Sequence, residues 1–129
     1  MNSDPLLISG KYWKISLNRY ETKARIGAYQ HERLLPQRLR LNVSVYVEKG
    51  AAPVSELSEV FNYDRVIEAI EAVVQEGHID LQETLLERTA ERLLKYPEVA
   101  AVQIGSEKPD AYSKAESIGV EAFFSKDKE

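Results

Sequence analysis

Cysteine is absent from this chain of 129 residues, so neither a disulfide framework nor thiolate chemistry is open to it. Histidine occurs only twice, as His31 and His78. The two stand at no spacing that metal sites use and have no cysteine to complete a ligand set, so no metal site is expected. Residues 1–10 hold no cationic lead, and Leu6-Leu7-Ile8 is too short an apolar core for a secretory signal. No apolar run approaches the ~20 residues that cross a bilayer. Glycine loops of the phosphate-binding kind and nucleophile elbows are missing as well. An excess of positive charge is also lacking. The 17 Lys and Arg stand against 21 Asp and Glu, for a formal net charge of −4, and that argues against a nucleic-acid partner. These absences predict a soluble cytoplasmic protein with no membrane partner and no cofactor, whose chemistry comes from carboxylates, lysine or tyrosine.

What is present fits one domain, 1–129, with a core of about 13–124. Hydrophobic residues make up 43%, enough for a single core that buries about two-thirds of the unfolded surface. From Arg38 to Glu48 the sequence alternates. Leu39, Leu41, Val43, Val45 and Val47 point one way, and Arg38, Arg40, Asn42, Ser44, Tyr46 and Glu48 the other, as in a half-buried antiparallel strand. Upstream, Trp13 to Tyr29 reads as one long strand bulged near Tyr20, and Gln30 to Pro36 as the turn between the two. After a loop holding Pro53, Tyr63, Val66, Ile67, Ile70, Val73 and Val74 fall at helical spacing, with Asn62 as N-cap and Gly77 as stop. Asp80 begins a second helix with a capping-box spacing to Glu83, an apolar face of Leu81, Leu85, Leu86, Leu93 and Leu94, and Pro97 as terminator. Strands over Val99–Glu107 and roughly Ala115–Phe124 complete the order ββααββ. This is an α+β unit, a four-stranded antiparallel sheet with two helices on one face. Its edge strands would be unpaired, and pairing them between subunits would close an oligomeric barrel.

Four places could carry chemistry, and each has an ordinary structural explanation. Glu32, in Gly27-Ala28-Tyr29-Gln30-His31-Glu32, reads first as a solvated turn carboxylate. Tyr63 reads as packing with a wet hydroxyl. Glu83 is accounted for by its capping box, although a carboxylate at a helix start can also accept two hydrogen bonds from a flat amidine-like edge. Lys108, before Pro109, reads as a surface lysine at a strand end, or as a partly buried proton shuttle.

Their order along the chain adds what none has singly. Ile26-Gly27-Ala28-Tyr29-Gln30-His31-Glu32 with Pro36-Gln37-Arg38-Leu39, then Asn62-Tyr63-Asp64-Arg65-Val66, match the pattern of the dihydroneopterin aldolase family. Leu81-Gln82-Glu83-Thr84-Leu85-Leu86-Glu87-Arg88, then Val102 to Pro109 and Ile118-Gly119-Val120-Glu121, continue it. The chain resembles that family from about Lys14 to Phe124. The resemblance implies the tunnelling fold and a homo-oligomer, tetramer or octamer, with sites at subunit interfaces. It implies a lyase without metal or Schiff base that cleaves 7,8-dihydroneopterin by a retro-aldol reaction to 6-hydroxymethyl-7,8-dihydropterin and glycolaldehyde, a step towards folate. By position, Lys108, Tyr63 and Glu32 would be catalytic, Tyr63 coming from a neighbouring subunit. Glu83 would anchor the aminopyrimidine edge, with Gln82 and Ala28 also at the substrate. Gln82 departs from the apolar residue usual there. Phe61-Asn62-Tyr63 looks more like a sibling that epimerises dihydroneopterin triphosphate, and Lys108-Pro109 more like the aldolase. The alternatives are therefore that 2′-epimerase and a non-catalytic pterin-binding scaffold of the same fold.

Overall fold

The computed structural model describes residues 4–51, 53–56 and 60–126. Of the expected domain, residues 1–3, 52, 57–59 and 127–129 lie outside the described residues, so the loop around Pro53 is seen only in part. Among the described residues, eight elements run in the order α1 (Pro5–Ile8), β1 (Tyr12–Ala24), α2 (Gln30–Leu34), β2 (Gln37–Glu48), α3 (Asp64–Val74), α4 (Gln82–Leu94), β3 (Val99–Lys108) and β4 (Ile118–Ser125). The four strands form one antiparallel sheet in the order β1-β2-β3-β4.

The alternation of β2 is realised as expected on its apolar side. Leu39, Leu41, Val43, Val45 and Val47 are buried and share a core with Val66, Ala69, Ile70 and Val73 of α3 and Leu85, Leu86, Ala90 and Leu93 of α4. The two long helices thus cover one face of the sheet. β1 carries its expected bulge, where Leu17 pairs with Val43 but Tyr20 with Leu41. Two residues there oppose one, Arg19 adopts φ +56°, and its N–H donates to Asn42 Oδ1 at 2.8 Å. The extra residue reverses the parity of the strand. Tyr20 therefore continues the core-facing side of Ile15 and Leu17, and its hydroxyl donates to Glu71 Oε2 of α3 at 2.5 Å. Burial and that carboxylate push the Tyr20 phenol up to about 12.

Five expectations need correcting. First, β1 stops at Ala24 instead of running to Tyr29. Ile26 leaves the sheet to bridge Ile79 in parallel, with Gly27 N–H donating to Ile79 O and Ile79 N–H to Arg25 O, both at 2.9 Å. Second, the turn after it is the short helix α2. Third, α4 starts at Gln82, and Leu81 is extended at its N-cap with no side-chain cap. The Asp80–Glu83 capping box does not form, because the Ile79 bridge keeps that approach extended and Asp80 Oδ1 pairs instead with Arg33 at 3.2 Å. Leu81 is accordingly 52% exposed and leaves the apolar face. Fourth, α3 starts at Asp64. The cap position falls on Tyr63, which makes no side-chain cap bond and is left 67% exposed, while Asn62, the expected cap, stands one residue earlier and accepts from Asp64 N–H on Oδ1 at 3.0 Å. Fifth, Tyr46 is buried on the face expected to meet water. Phe123 meets its ring edge-on at 6.1 Å, and its hydroxyl donates to Asp4, which caps α1 through Leu6 and Leu7 N–H at 3.1 and 3.2 Å. This single N-terminal turn leans on the face opposite the long helices.

Leu41 has no exposed surface at the centre of that core. Leu41→Ala is expected to cost about 2–5 kcal/mol of unfolding free energy, read by chemical denaturation, whereas Asn42→Ala should cost about 1 kcal/mol through the lost bond to the bulge.

Candidate active site

The bridge between Ile26 and Ile79 sets the path of the chain into α2. Gly27 takes φ +132°, a conformation open to glycine at little cost, and a Cβ at this position would overlap the Glu32 carboxyl. His78 Nε2 lies 2.7 Å from Gly27 O and holds the turn from the α3–α4 side. The chain then enters α2, where Glu32 reaches back to accept the N–H of Tyr29 on Oε1 at 3.2 Å. This is the reach of a capping-box glutamate, found here at the start of α2 and not at α4.

The other carboxyl oxygen carries the charge contact. Lys108 Nζ, at the end of β3, donates to Glu32 Oε2 at 2.9 Å, and Gln37 Nε2, at the start of β2, donates to the same oxygen at 3.3 Å. Gln37 is itself held by Ile26 O at 2.7 Å. The Glu32 and Lys108 side chains are only 8% and 13% exposed. Burial pushes the Glu32 carboxyl up, but the hydrogen bonds from Lys108, Tyr29 N–H and Gln37 outweigh it and hold the group below its usual range. The ordinary surface readings of Glu32 and Lys108 therefore do not hold.

These two residues form the floor of a cavity of about 420 Å³ together with Gln82. The Gln82 amide is braced at both ends, accepting from Ser106 Oγ at 2.6 Å and donating to Ile118 O at 3.3 Å. The rim is more open and carries Tyr29, Tyr112 and Asp110. A cavity of this size takes a flat bicyclic ligand, and Lys108 keeps donors beyond the one spent on Glu32.

The remaining sequence-derived residues sit elsewhere on the chain. Tyr63 lines a separate cavity of about 420 Å³, beside Trp13, Ile15, Val54 and Phe61. Glu83 is exposed in the first turn of α4, next to Gln82 but not among the residues lining the Glu32–Lys108 cavity, and Ala28 is likewise exposed and outside that lining. Sequence reasoning assigned no role to Gln37 or His78. Gln37 belongs to the Pro36-Gln37-Arg38-Leu39 motif, but a glutamine at a strand start has no pattern of its own. Nothing local in the sequence marks His78 as the support of the Gly27 turn. Among the described residues no group of three or more His, Cys, Asp or Glu is placed to hold a metal ion, and no helix is long and apolar enough to cross a membrane.

The chain is similar to known proteins along most of its length. The family model described as FolB, dihydroneopterin aldolase, matches residues 15–123. A dihydroneopterin aldolase of Streptomyces coelicolor is 29% identical over 99 residues, which are 76% of this chain and 83% of that protein. A dihydroneopterin triphosphate 2′-epimerase of Pseudomonas aeruginosa is 24% identical over 108 residues, 83% of this chain and 88% of that protein. The crystal structure of a dihydroneopterin aldolase from Burkholderia thailendensis bound to guanine superposes with a TM-score of 0.80 at 35% identity, covering 92% of this chain and 94% of that one.

Two substitutions probe this geometry. Gly27→Ala should destabilise the fold by about 2 kcal/mol through backbone strain and expel the Glu32 carboxyl from its three donors, read as a lowered melting temperature. Glu32→Gln should cost about 3 kcal/mol near neutral pH by leaving Lys108 unpaired. The Glu32 pKa is depressed on folding, so its contribution is full above the ordinary carboxylate value of about 4.3 and fades as pH falls from there through the lowered value. Denaturation curves of parent and variant should therefore converge in acid and separate towards neutrality.

Proposed function

The chain belongs to the dihydroneopterin aldolase family, and on that premise we propose that it is a lyase cleaving 7,8-dihydroneopterin by a retro-aldol reaction to 6-hydroxymethyl-7,8-dihydropterin and glycolaldehyde, a cytoplasmic step towards folate. The observation that carries this reading is the Glu32–Lys108 pair, 2.9 Å apart on the floor of a cavity fit for a bicyclic ring.

In this reading the substrate loses the proton of its 2′ hydroxyl. The oxygen lone pair becomes the carbonyl of glycolaldehyde, and the C1′–C2′ bonding pair passes to C1′ and into the neighbouring ring imine. The dihydropterin is its own electron sink, so the proposal uses neither metal nor lysine imine. What remains for the protein is proton transfer and positioning, each worth a few powers of ten. Lys108, held in place by Glu32, gives its own proton to water and takes the hydroxyl proton as the neutral amine, and the proton given to water is recovered when the Tyr63 oxygen is reprotonated, so the site ends as it began. A proton delivered to C1′ then completes the hydroxymethyl group, and Tyr63 is the donor assigned to that step. Glu83 takes the aminopyrimidine edge through paired hydrogen bonds, with Gln82 and Ala28 beside the ring.

Tyr63 and Lys108 line different cavities of one chain. This supports a site assembled from two subunits, with the Tyr63 cavity of one protomer facing the Lys108 cavity of the next. Among the described residues the outer strands β1 and β4 each have a partner strand on one side only, and Trp13, Ile118 and Phe123 are exposed along them. Edge pairing between copies would close a tunnelling-fold barrel of four or eight chains and cover these side chains. The triphosphate 2′-epimerase is the second reading, favoured by Phe61-Asn62-Tyr63 and the Pseudomonas relative.

Incubation with dihydroneopterin and with its triphosphate, products separated by chromatography, decides between the two. Release of glycolaldehyde from dihydroneopterin is expected; inversion of the triphosphate without cleavage would replace this reading by the second. Lys108→Ala should lower kcat by roughly two to four powers of ten. Tyr63→Phe should still release glycolaldehyde but form little hydroxymethyl product. Co-refolding the two variants should restore part of the normal turnover, because mixed assemblies contain sites with both parent residues; no recovery would argue against a shared site.

A further inference from the structure

We propose that Asp110 is a specificity-determining residue that makes the rim of the cavity refuse a phosphorylated side chain, by neutralising the one guanidinium nearest to it. The inference rests on the pterin reading and deepens it by naming the charge class of the substrate. Asp110 lines the cavity directly after the Lys108-Pro109 step. Its two carboxylate oxygens accept from Arg38 Nε and Nη2, both at 2.9 Å, in a fork-on-fork pair. Arg38 Nη1 also lies 3.7 Å from Glu21 Oε1, so the guanidinium is shared by two carboxylates.

A triphosphate tail needs uncompensated cations where it leaves the pocket. On the chain that carries Asp110, Arg40, which also acts on the Asp110 carboxylate, pairs with Glu21 at 3.3 Å. Arg33 pairs with Asp80 at 3.2 Å, Arg25 lies beside Gly77 in the α3–α4 connection and does not line the cavity, and Lys108 is paired with Glu32 at the floor. The charged groups at the cavity are then two closed pairs, Glu32 with Lys108 and Asp110 with Arg38 behind it, with His31 stacked on Tyr29 at the edge. An uncharged polyol side chain tolerates such a rim, whereas a polyanion finds no free cation on it to offset the loss of its water.

Asp110 is half-exposed, so its carboxylate acts as a local charge and not as a buried support. The test is the ratio of affinities for neopterin triphosphate and neopterin, both fluorescent and both stable to cleavage. It is measured by titration of the full-length protein near pH 8, where a histidine is ordinarily neutral. The parent should prefer neopterin. Asp110→Asn leaves Arg38 with only Glu21, at 3.7 Å, and should raise the triphosphate-to-neopterin affinity ratio about tenfold at low salt, one unit charge acting at the solvent edge, with the gain fading as salt rises. Adding Arg38→Gln to Asp110→Asn should return the ratio to the parent's, which a mere loosening of the loop would not do. An unchanged ratio in Asp110→Asn, or a gain that survives removal of Arg38, overturns the proposal while leaving the pterin reading intact. A parent that binds neither compound overturns both.

Discussion

An ammonium and a carboxylate that share little water must be held by more than each other, and the Glu32–Lys108 pair meets that condition through segments distant in sequence. Its partners come from the end of β3, the start of β2 and the first turn of α2. Coulomb attraction alone rarely repays desolvation of two charges. Here the added N–H groups of Tyr29 and Gln37 occupy two more of the carboxylate's acceptor positions, and the pair becomes tolerable at the floor of a cavity. The requirement spreads outward. Gly27 cannot carry a Cβ, Ile26 must leave the sheet to meet Ile79, and His78 must reach Gly27 O.

The same arrangement explains why α4 begins late. The parallel bridge draws residues 79–81 into an extended path, so the helix starts at Gln82 and that side chain, not Glu83, turns inward to Ser106 and Ile118. Glu83 is left on the surface at the positive end of the helix dipole, where a carboxylate is favoured and free to meet a ligand or another chain. The exposed Tyr63 at the start of α3 is comparable. Both are polar groups that this fold presents outward, Glu83 beside Gln82 of one cavity and Tyr63 in the lining of the other.

Opposite the long helices the sheet is not bare. Tyr46 is sealed by Phe123 and by the capped turn α1, and Asp4 also meets Lys14 at 3.3 Å. Burial pushes the Asp4 carboxyl up less than the combined pull of Tyr46, Leu7 N–H and Lys14 lowers it, Tyr46 being the largest influence. The residues before β1 thus have a structural use on the sheet face opposite the long helices.

The periodicity of β2, of α3 and of most of α4 was legible in the residues themselves, because burial of one face imposes period 2 on a strand and period 3.6 on a helix whatever surrounds them. The bulge near Tyr20 was legible for the same reason, since the apolar parity breaks there. The motifs around Glu32, Tyr63, Glu83 and Lys108 were also visible, in order, as a family resemblance. What no local pattern contained was contact between distant segments. The salt bridge across 76 positions, the bridge that ends β1 at Ala24 and delays α4, the burial of Tyr46 under α1 and the neutralisation of Arg38 by Asp110 each depend on a partner far away in sequence. Tertiary structure alone decided these, because a hydrogen bond or ion pair depends on where two groups meet in space, and periodicity records only which side of its own element each one faces.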